Sequence, residues 1–109
     1  MTEIDPATRL AIEAAAFRRL RRHLIEERPD VQNIDLMNLA GFCRNCLALW
    51  QQEAAAEHGI VMTKDEARSD FYGMPHADWV ARFQRPADEA TRAAFDAEFA
   101  RNVGDSGGL

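Results

Sequence analysis

Hydrophobic residues recur along much of this chain at intervals of three and four positions, the spacing of one face of an α-helix. The first such stripe follows Asp5 and Pro6, an N-cap residue and a proline at the first helical position, and it predicts a helix that runs to about Glu27. The apolar residues of the stripe are Leu10, Ala14, Phe17, Leu20 and Leu24. No segment alternates apolar and polar residues as a half-buried strand does, so the pattern predicts an all-α protein.

A second stripe predicts a long central helix over about residues 36–57, ended by Gly59 in a left-handed conformation. We expect this helix to pack nearly antiparallel against the first one. Its apolar seam consists of Leu36, Ala40, Cys43, Leu47, Trp50 and Ala54.

Three shorter helices complete the prediction. A capping box of Thr63 and Glu66 starts a helix over residues 64–72, and another helix begins at Pro75. The last helix carries Phe95 and Phe99 at i, i+4. The sequence thus predicts a single compact domain of four to five helices over residues 1–103, followed by a flexible tail at 104–109.

Length and charge narrow the class of protein. A chain of 109 residues fits one domain, and a net charge of −5 argues against nucleic-acid binding. The arginines in "RRLRR" are interpreted as a solvated helix face. No apolar run reaches the roughly 20 residues of a membrane span, and the N-terminus lacks the layout of a signal peptide. These features predict a cytoplasmic protein with no membrane association.

The most informative motif is "CRNC", in which Cys43 and Cys46 stand at i, i+3. On a helix this spacing places both sulfurs on one side, where they could bind a soft metal ion or exchange electrons as a dithiol. The helix dipole lowers a thiol pKa at the N-terminus of a helix. The predicted central helix instead places both cysteines about two turns inside it, away from that effect. Packing as small apolar core residues is therefore the favoured interpretation. A metal or redox site and another reactive-thiol role remain alternatives, and no cofactor or firm metal site is predicted.

Arg44 and Asn45 separate the two cysteines within an otherwise apolar helix. A buried guanidinium needs compensation, so Arg44 is expected either to pair with a carboxylate or to face a pocket. Asp70 and Asp78 are the candidate carboxylates, since they flank the loop expected to cover this part of the helix.

Several segments of the chain resemble the signature segments of a bacterial family, the domain of unknown function 1244. They are "AAAFRRL", "DVQNIDLMNLAGFCRNCLALW", "DEAR" and "YGMPHADW". This resemblance implies a soluble helical protein of about a hundred residues and assigns no activity. The matching motif positions are Asn38, Gly41, Phe42, Cys43, Arg44, Asn45, Cys46 and Trp50, while Gln51 and His76 stand where the family commonly has tyrosine.

The leading hypothesis is a binding or interaction module that uses the face formed by residues 38–46 and 72–79. The candidate binding residues are Asn38, Cys43, Arg44, Asn45, Cys46, Tyr72 and His76. The sequence contains no P-loop, nucleotide-binding glycine fingerprint or nucleophile elbow, and it predicts no catalytic residue. The partner is an unidentified protein or small molecule, and homo-oligomerisation is left open. A metal-binding or thiol-dependent activity at Cys43 and Cys46 is the alternative function.

Overall fold

The computed structural model describes residues 2–102. This part of the chain contains six α-helices and one π-helical turn, and no strand occurs in it. The helices are α1 (Pro6–Arg22), α2 (Asn33–Ala40), α3 (Arg44–Glu57), α4 (Lys64–Tyr72), α5 (His76–Phe83) and α6 (Glu89–Asn102), and the π-turn His23–Glu27 continues α1. The all-α prediction is confirmed, with one helix more than the four to five expected. The tail predicted at 104–109 lies outside the described residues.

The additional helix arises because the predicted central helix is divided at Gly41. Gly41 has a φ of +79° and donates its backbone N–H to the Met37 carbonyl, which ends α2 in a left-handed cap. The next two residues are not helical, and Cys43 has the extended backbone of an N-cap from which α3 starts. The prediction of one continuous helix over 36–57 is therefore wrong, because Gly41 acts as a helix terminator there.

Most of the buried apolar surface lies in one cluster beneath α3, α4 and α5. Its fully buried members are Leu24, Ile25, Leu47, Ala48, Phe71, Tyr72 and Trp79. Leu24 and Ile25 come from the π-turn, so the first helical segment contributes to this cluster through its C-terminal end. The helix that α3 packs against most extensively is α4, whereas the sequence predicted α1.

A second, smaller cluster lies between α2, the start of α3 and α6. Met37, Cys43 and Cys46 are fully buried, and Phe95 and Phe99 of α6 pack against them. Leu36 and Phe42 pack against both clusters, so the helices form a single compact domain.

The N-terminal half of α1 extends beyond this core. Leu10, predicted as part of the apolar stripe, is 69% exposed, and α1 contains no buried residue. Phe17 marks the point where α1 meets the core, since its ring lies 6.2 Å from that of Phe71 in an edge-on arrangement. Among the described residues, no helix combines the length and the apolar character needed to cross a lipid bilayer.

Candidate functional site

Cys43 and Cys46 lie at the start of α3, where Cys43 is the N-cap residue and Cys46 is the third helical residue. The sequence prediction had placed them two turns inside a helix, and the break at Gly41 moves them to a helix N-terminus instead. The positive end of the helix dipole favours negative charge at this position. The predicted position of the cysteines two turns inside a helix is therefore wrong.

The two thiols are free, and each cysteine is only 2% exposed. A hydrogen bond donated by the Cys43 thiol lowers the pKa of Cys46 to about 7. The same hydrogen bond, together with burial, raises the pKa of Cys43, since it keeps the proton on that thiol. Among residues 2–102, no third cysteine, histidine or carboxylate joins them in a group that could hold a metal ion.

Arg44 lies in the core and is 1% exposed. Its guanidinium donates to three backbone carbonyls, with Nε to Leu24 at 3.1 Å, Nη1 to Val31 at 2.6 Å and Nη2 to Arg28 at 2.9 Å. The guanidinium carbon also lies 5.1 Å from the centre of the Trp79 ring, within the range of a cation–π contact. Burial lowers the pKa of Arg44.

Among the described residues, the expected carboxylate partner of Arg44 is not found. Asp78 and Asp70 are both exposed, and Asp70 instead accepts a hydrogen bond from Gln51. Carbonyl oxygens of the segment between α1 and α2 accept the hydrogen bonds of Arg44 that a carboxylate was expected to accept. Arg44 is therefore a structural residue that fixes this segment, and it does not line the groove described below.

Tyr72 joins the two segments that the sequence proposed as one face. Its hydroxyl donates to Asn45 Oδ1 at 2.7 Å and accepts from Asn33 Nδ2 at 3.1 Å. Burial raises the pKa of Tyr72 to about 12, so the phenol stays protonated and acts as a fixed donor. This hydrogen-bond chain orients Asn33 and Asn45, of which the sequence analysis had named only Asn45 as a binding candidate.

His76 and Asn38 occupy different parts of the molecule. The His76 ring is half-buried, with its centroid 5.3 Å from that of Tyr72 and its Nδ1 atom 3.5 Å from Nη1 of Arg68. Burial and the charge of Arg68 lower the pKa of His76. Asn38 donates to the Thr91 carbonyl at 3.2 Å and thereby ties α2 to α6.

A groove of about 790 Å³ opens beside the cysteine pair. One wall is formed by the starts of α2 and α3, and the other by α6 and the linker that precedes it. The lining side chains include Asn33, Cys43, Asn45, Arg85, Arg92, Phe95, Asp96 and Phe99. Of the seven predicted binding residues, only Cys43 and Asn45 line this groove.

The sequence analysis missed the wall of the groove that α6 supplies. The spacing of Phe95 and Phe99 had shown that α6 has an apolar face, but nothing in the sequence indicated which surface that face covers. Gln32 was also missed, although it fixes the linker before α6 with two contacts. Its Nε2 donates to the Phe83 carbonyl at 2.8 Å, and its Oε1 accepts from the Arg85 backbone N–H at 2.8 Å.

Comparison with protein families places this arrangement in a known sequence group. A family described as "Protein of unknown function (DUF1244)" matches residues 31–97, which is more than half of the chain. The chain belongs to the DUF1244 family. No curated protein shows a significant match.

The DUF1244 match runs from just before α2 to within α6, and it leaves α1 outside. It therefore contains both cysteines, the Tyr72 hydrogen-bond chain and most of the α6 wall. The groove is thus built almost entirely from the part of the chain that defines the family.

Proposed function

We propose that this DUF1244 protein is a binding module that holds a small molecule in the groove between α6 and the starts of α2 and α3. The observation that carries the proposal is the groove itself, whose volume of about 790 Å³ lies within the range of about 300–1,000 Å³ typical of small-molecule sites. Its walls combine apolar side chains with a few oriented polar groups, as such sites do.

The polar groups of the groove favour an anionic ligand. Arg85 and Arg92 contribute positive charge to one wall, and the N-terminus of α3 faces the groove at Asn45. Among the residues that the structure describes, Asp96 is the one carboxylate that lines it, so the arginines there outnumber the acid.

The apolar part of the ligand would pack on Phe95 and Phe99, whose rings lie 5.8 Å apart on the α6 wall. The proposed ligand is thus a small molecule with a carboxylate or phosphate at one end and an apolar body. The free thiols of Cys43 and Cys46 are consistent with action in a reducing compartment, and we propose the cytoplasm.

The test is a titration of isotope-labelled protein with 3-phenylpropionate, followed by amide chemical shifts. We expect saturable shifts at residues 32–34, 43–45 and 92–99, and much weaker shifts with 3-phenylpropionamide, which lacks the charge. The variant Arg92→Gln should weaken carboxylate binding about tenfold, the value of one charge-assisted hydrogen bond. Arg82→Gln is the matched control, because Arg82 is exposed on α5 and does not line the groove.

Two results would contradict this proposal. The first is an absence of saturable shifts in the groove with the phenylpropionate and with a matching aromatic phosphate. The second is an equal loss of affinity in the Arg92 and Arg82 variants, which would show that overall charge governs the interaction and that the groove does not.

A further inference from the structure

The position of the cysteine pair provides the geometry that dithiol chemistry requires. Cys43 and Cys46 occupy the N-cap and the third residue of a 14-residue helix, so both side chains lie at its positive end. A thiolate is stabilised there by the helix dipole and by nearby backbone N–H groups. Cysteines that only fill a core gain nothing from this position, and burial alone would hold them protonated.

The pair also lies beside an opening. Cys43 lines the groove, so a molecule held there reaches the edge of the pair. Cys46 does not line the groove, and both cysteines belong to the buried cluster against which Phe95 and Phe99 of α6 pack.

The helix that covers the pair, α6, contains no fully buried residue. It packs along α2, with Phe95 and Phe99 against the cluster that contains the cysteines and a hydrogen bond from Asn38 to the Thr91 carbonyl. Segments with so little buried surface open at lower free energy than the core of a domain does. Opening α6 would expose both sulfurs without disturbing α3.

We propose that Cys43 and Cys46 are a redox-active dithiol that exchanges with small disulfides entering the groove, and that α6 is the cover that controls their access. This inference does not rest on the proposed carboxylate ligand. It needs only the groove, the pair and the movement of α6.

The exchange balances without any further reactant. The Cys46 thiolate attacks one sulfur of the incoming disulfide, which breaks the S–S bond and leaves a mixed disulfide on Cys46. The departing thiolate takes a proton, for which the adjacent Cys43 thiol is the nearest source. The Cys43 thiolate then attacks the Cys46 sulfur and releases the second thiolate, which is protonated from water. The protein loses two electrons and gains an internal disulfide, and the small disulfide becomes two thiols.

The lowered pKa of Cys46, about 7, supports this assignment of roles. A lowered pKa raises the fraction of Cys46 that is thiolate, the form that attacks a disulfide. Cys43 retains its proton until the first step consumes the charge on Cys46.

The first experiment incubates the full-length reduced protein with oxidised glutathione, quenches with an alkylating agent and measures intact mass. We expect the wild type to lose two hydrogens as the internal disulfide forms. Cys43→Ser should instead stop as a mixed disulfide that carries one glutathione on Cys46. The inference is overturned if the wild type, folded by circular dichroism, keeps both thiols in a large excess of oxidised glutathione.

The second experiment tests the cover. Phe99→Ala removes one of the two phenylalanines that anchor α6. We expect it to make the open form of α6 about ten times more populated, and therefore to speed disulfide formation about tenfold. Phe83→Ala is the matched control: Phe83 is also half-buried, but it packs against Trp79 in the other cluster at a ring distance of 4.4 Å. It should react at close to the wild-type rate.

Equal acceleration in both variants would show that global unfolding exposes the thiols, and it would overturn the role of α6. Amide hydrogen exchange of the wild type provides an independent measurement that needs no variant. We expect α6 amides to exchange faster than those of α3, and equal protection of the two helices would contradict the cover. Binding of 3-phenylpropionate to the reduced wild type is measured independently of disulfide formation, so failure of the dithiol is distinguishable from failure of the groove.

Discussion

Asn33 accepts two hydrogen bonds from Arg44 at the same oxygen. Its Oδ1 lies 3.3 Å from the Arg44 backbone nitrogen and 2.9 Å from Nη1 of the same residue. Asn33 also donates to Tyr72, so one amide links the first residue of α3 to the last residue of α4. The start of α3, which carries Asn45 and the cysteines, is therefore fixed from two directions.

Arg44→Met should destabilise the protein by about 3 kcal/mol or more, measured by urea unfolding. The change removes the donors for the carbonyls of Leu24, Arg28 and Val31, and buried acceptors left without partners cost about 1–3 kcal/mol each. Arg82→Met on the exposed face of α5 is the control and should change stability by less than about 0.5 kcal/mol.

The same experiment separates carbonyl from carboxylate partners. If a carboxylate held Arg44, neutralising it would rescue Arg44→Met, as the sequence analysis had expected for Asp70 or Asp78. Because carbonyls hold it, adding Asp70→Asn or Asp78→Asn should restore nothing. A loss below about 1 kcal/mol for Arg44→Met would contradict the structural role of this residue.

The helical class and most helix starts could be read from the sequence because they depend on local signals. The capping box at Thr63 is formed by two hydrogen bonds of 3.1 and 3.2 Å with Glu66, and Asp5 accepts from the Thr8 backbone N–H at 2.8 Å. Such contacts involve residues three positions apart, and their chemistry is fixed by residue type.

The division at Gly41 was harder to predict because a glycine within an apolar stripe can be tolerated in a helix at a cost of about 1 kcal/mol. The periodicity continues across the break, since Leu36 and Leu47 both reach the core. The break is accompanied by packing of α2 against α6, a long-range contact that the local sequence pattern does not reveal. The groove depends on the same contact, so the site was predicted less well than the helices.

Exposed apolar residues also show that the spacing of apolar positions does not predict which of them are buried. Trp50 belongs to the predicted seam, yet it is 51% exposed, whereas Leu47 is 4% exposed. Both fit the three-and-four spacing, and that spacing identifies a face of a helix without showing how far along the helix the neighbouring elements extend.

Gly41→Ala should destabilise the protein because it places a Cβ atom on a residue with a φ of +79°, which costs about 1–2 kcal/mol. The new atom would also lie 3.1 Å from the Asn102 side chain of α6, which would have to shift slightly. Gly59→Ala is a close control, since Gly59 has a φ of +77° and no atom within 4 Å of the added Cβ.

Thermal unfolding of the two variants should therefore show a larger loss for Gly41→Ala, and the difference reports the contact with α6. Equal losses would indicate that backbone conformation accounts for the whole effect. A gain in stability for Gly41→Ala would contradict the break, because alanine is favoured only if the helix is continuous.

Leu47→Ala should lower the free energy of unfolding by about 2–5 kcal/mol, the usual range for truncation of a buried leucine. Leu47 lies in the large cluster with Phe71 and Trp79 and is 4% exposed. Leu39→Ala makes the same chemical change at a residue that is 88% exposed, so it should cost less than about 0.5 kcal/mol. Similar losses for the two variants would show that the core is wrongly located.

Reactivity of Cys46 should rise with pH about an apparent pKa near 7, measured as the rate of carbamidomethylation of that residue by iodoacetamide. The sign follows from the hydrogen bond that the Cys43 thiol donates, which stabilises the Cys46 thiolate and lowers its pKa from the ordinary 9.0 to about 7. Cys43→Ala removes the donor and should move the midpoint upward, while Cys43→Ser keeps a hydroxyl donor and should move it less.

The free energy of unfolding should depend on pH for the same reason. The folded state favours ionised Cys46, so this residue adds stability as the pH rises from about 7 to 9 and loses that contribution as the pH falls through 7. Cys43 acts in the opposite sense above pH 9, because its raised pKa keeps it protonated in the folded state while the unfolded chain ionises. A midpoint near 9.0 in the wild type, unchanged by Cys43→Ala, would show that the two sulfurs do not interact.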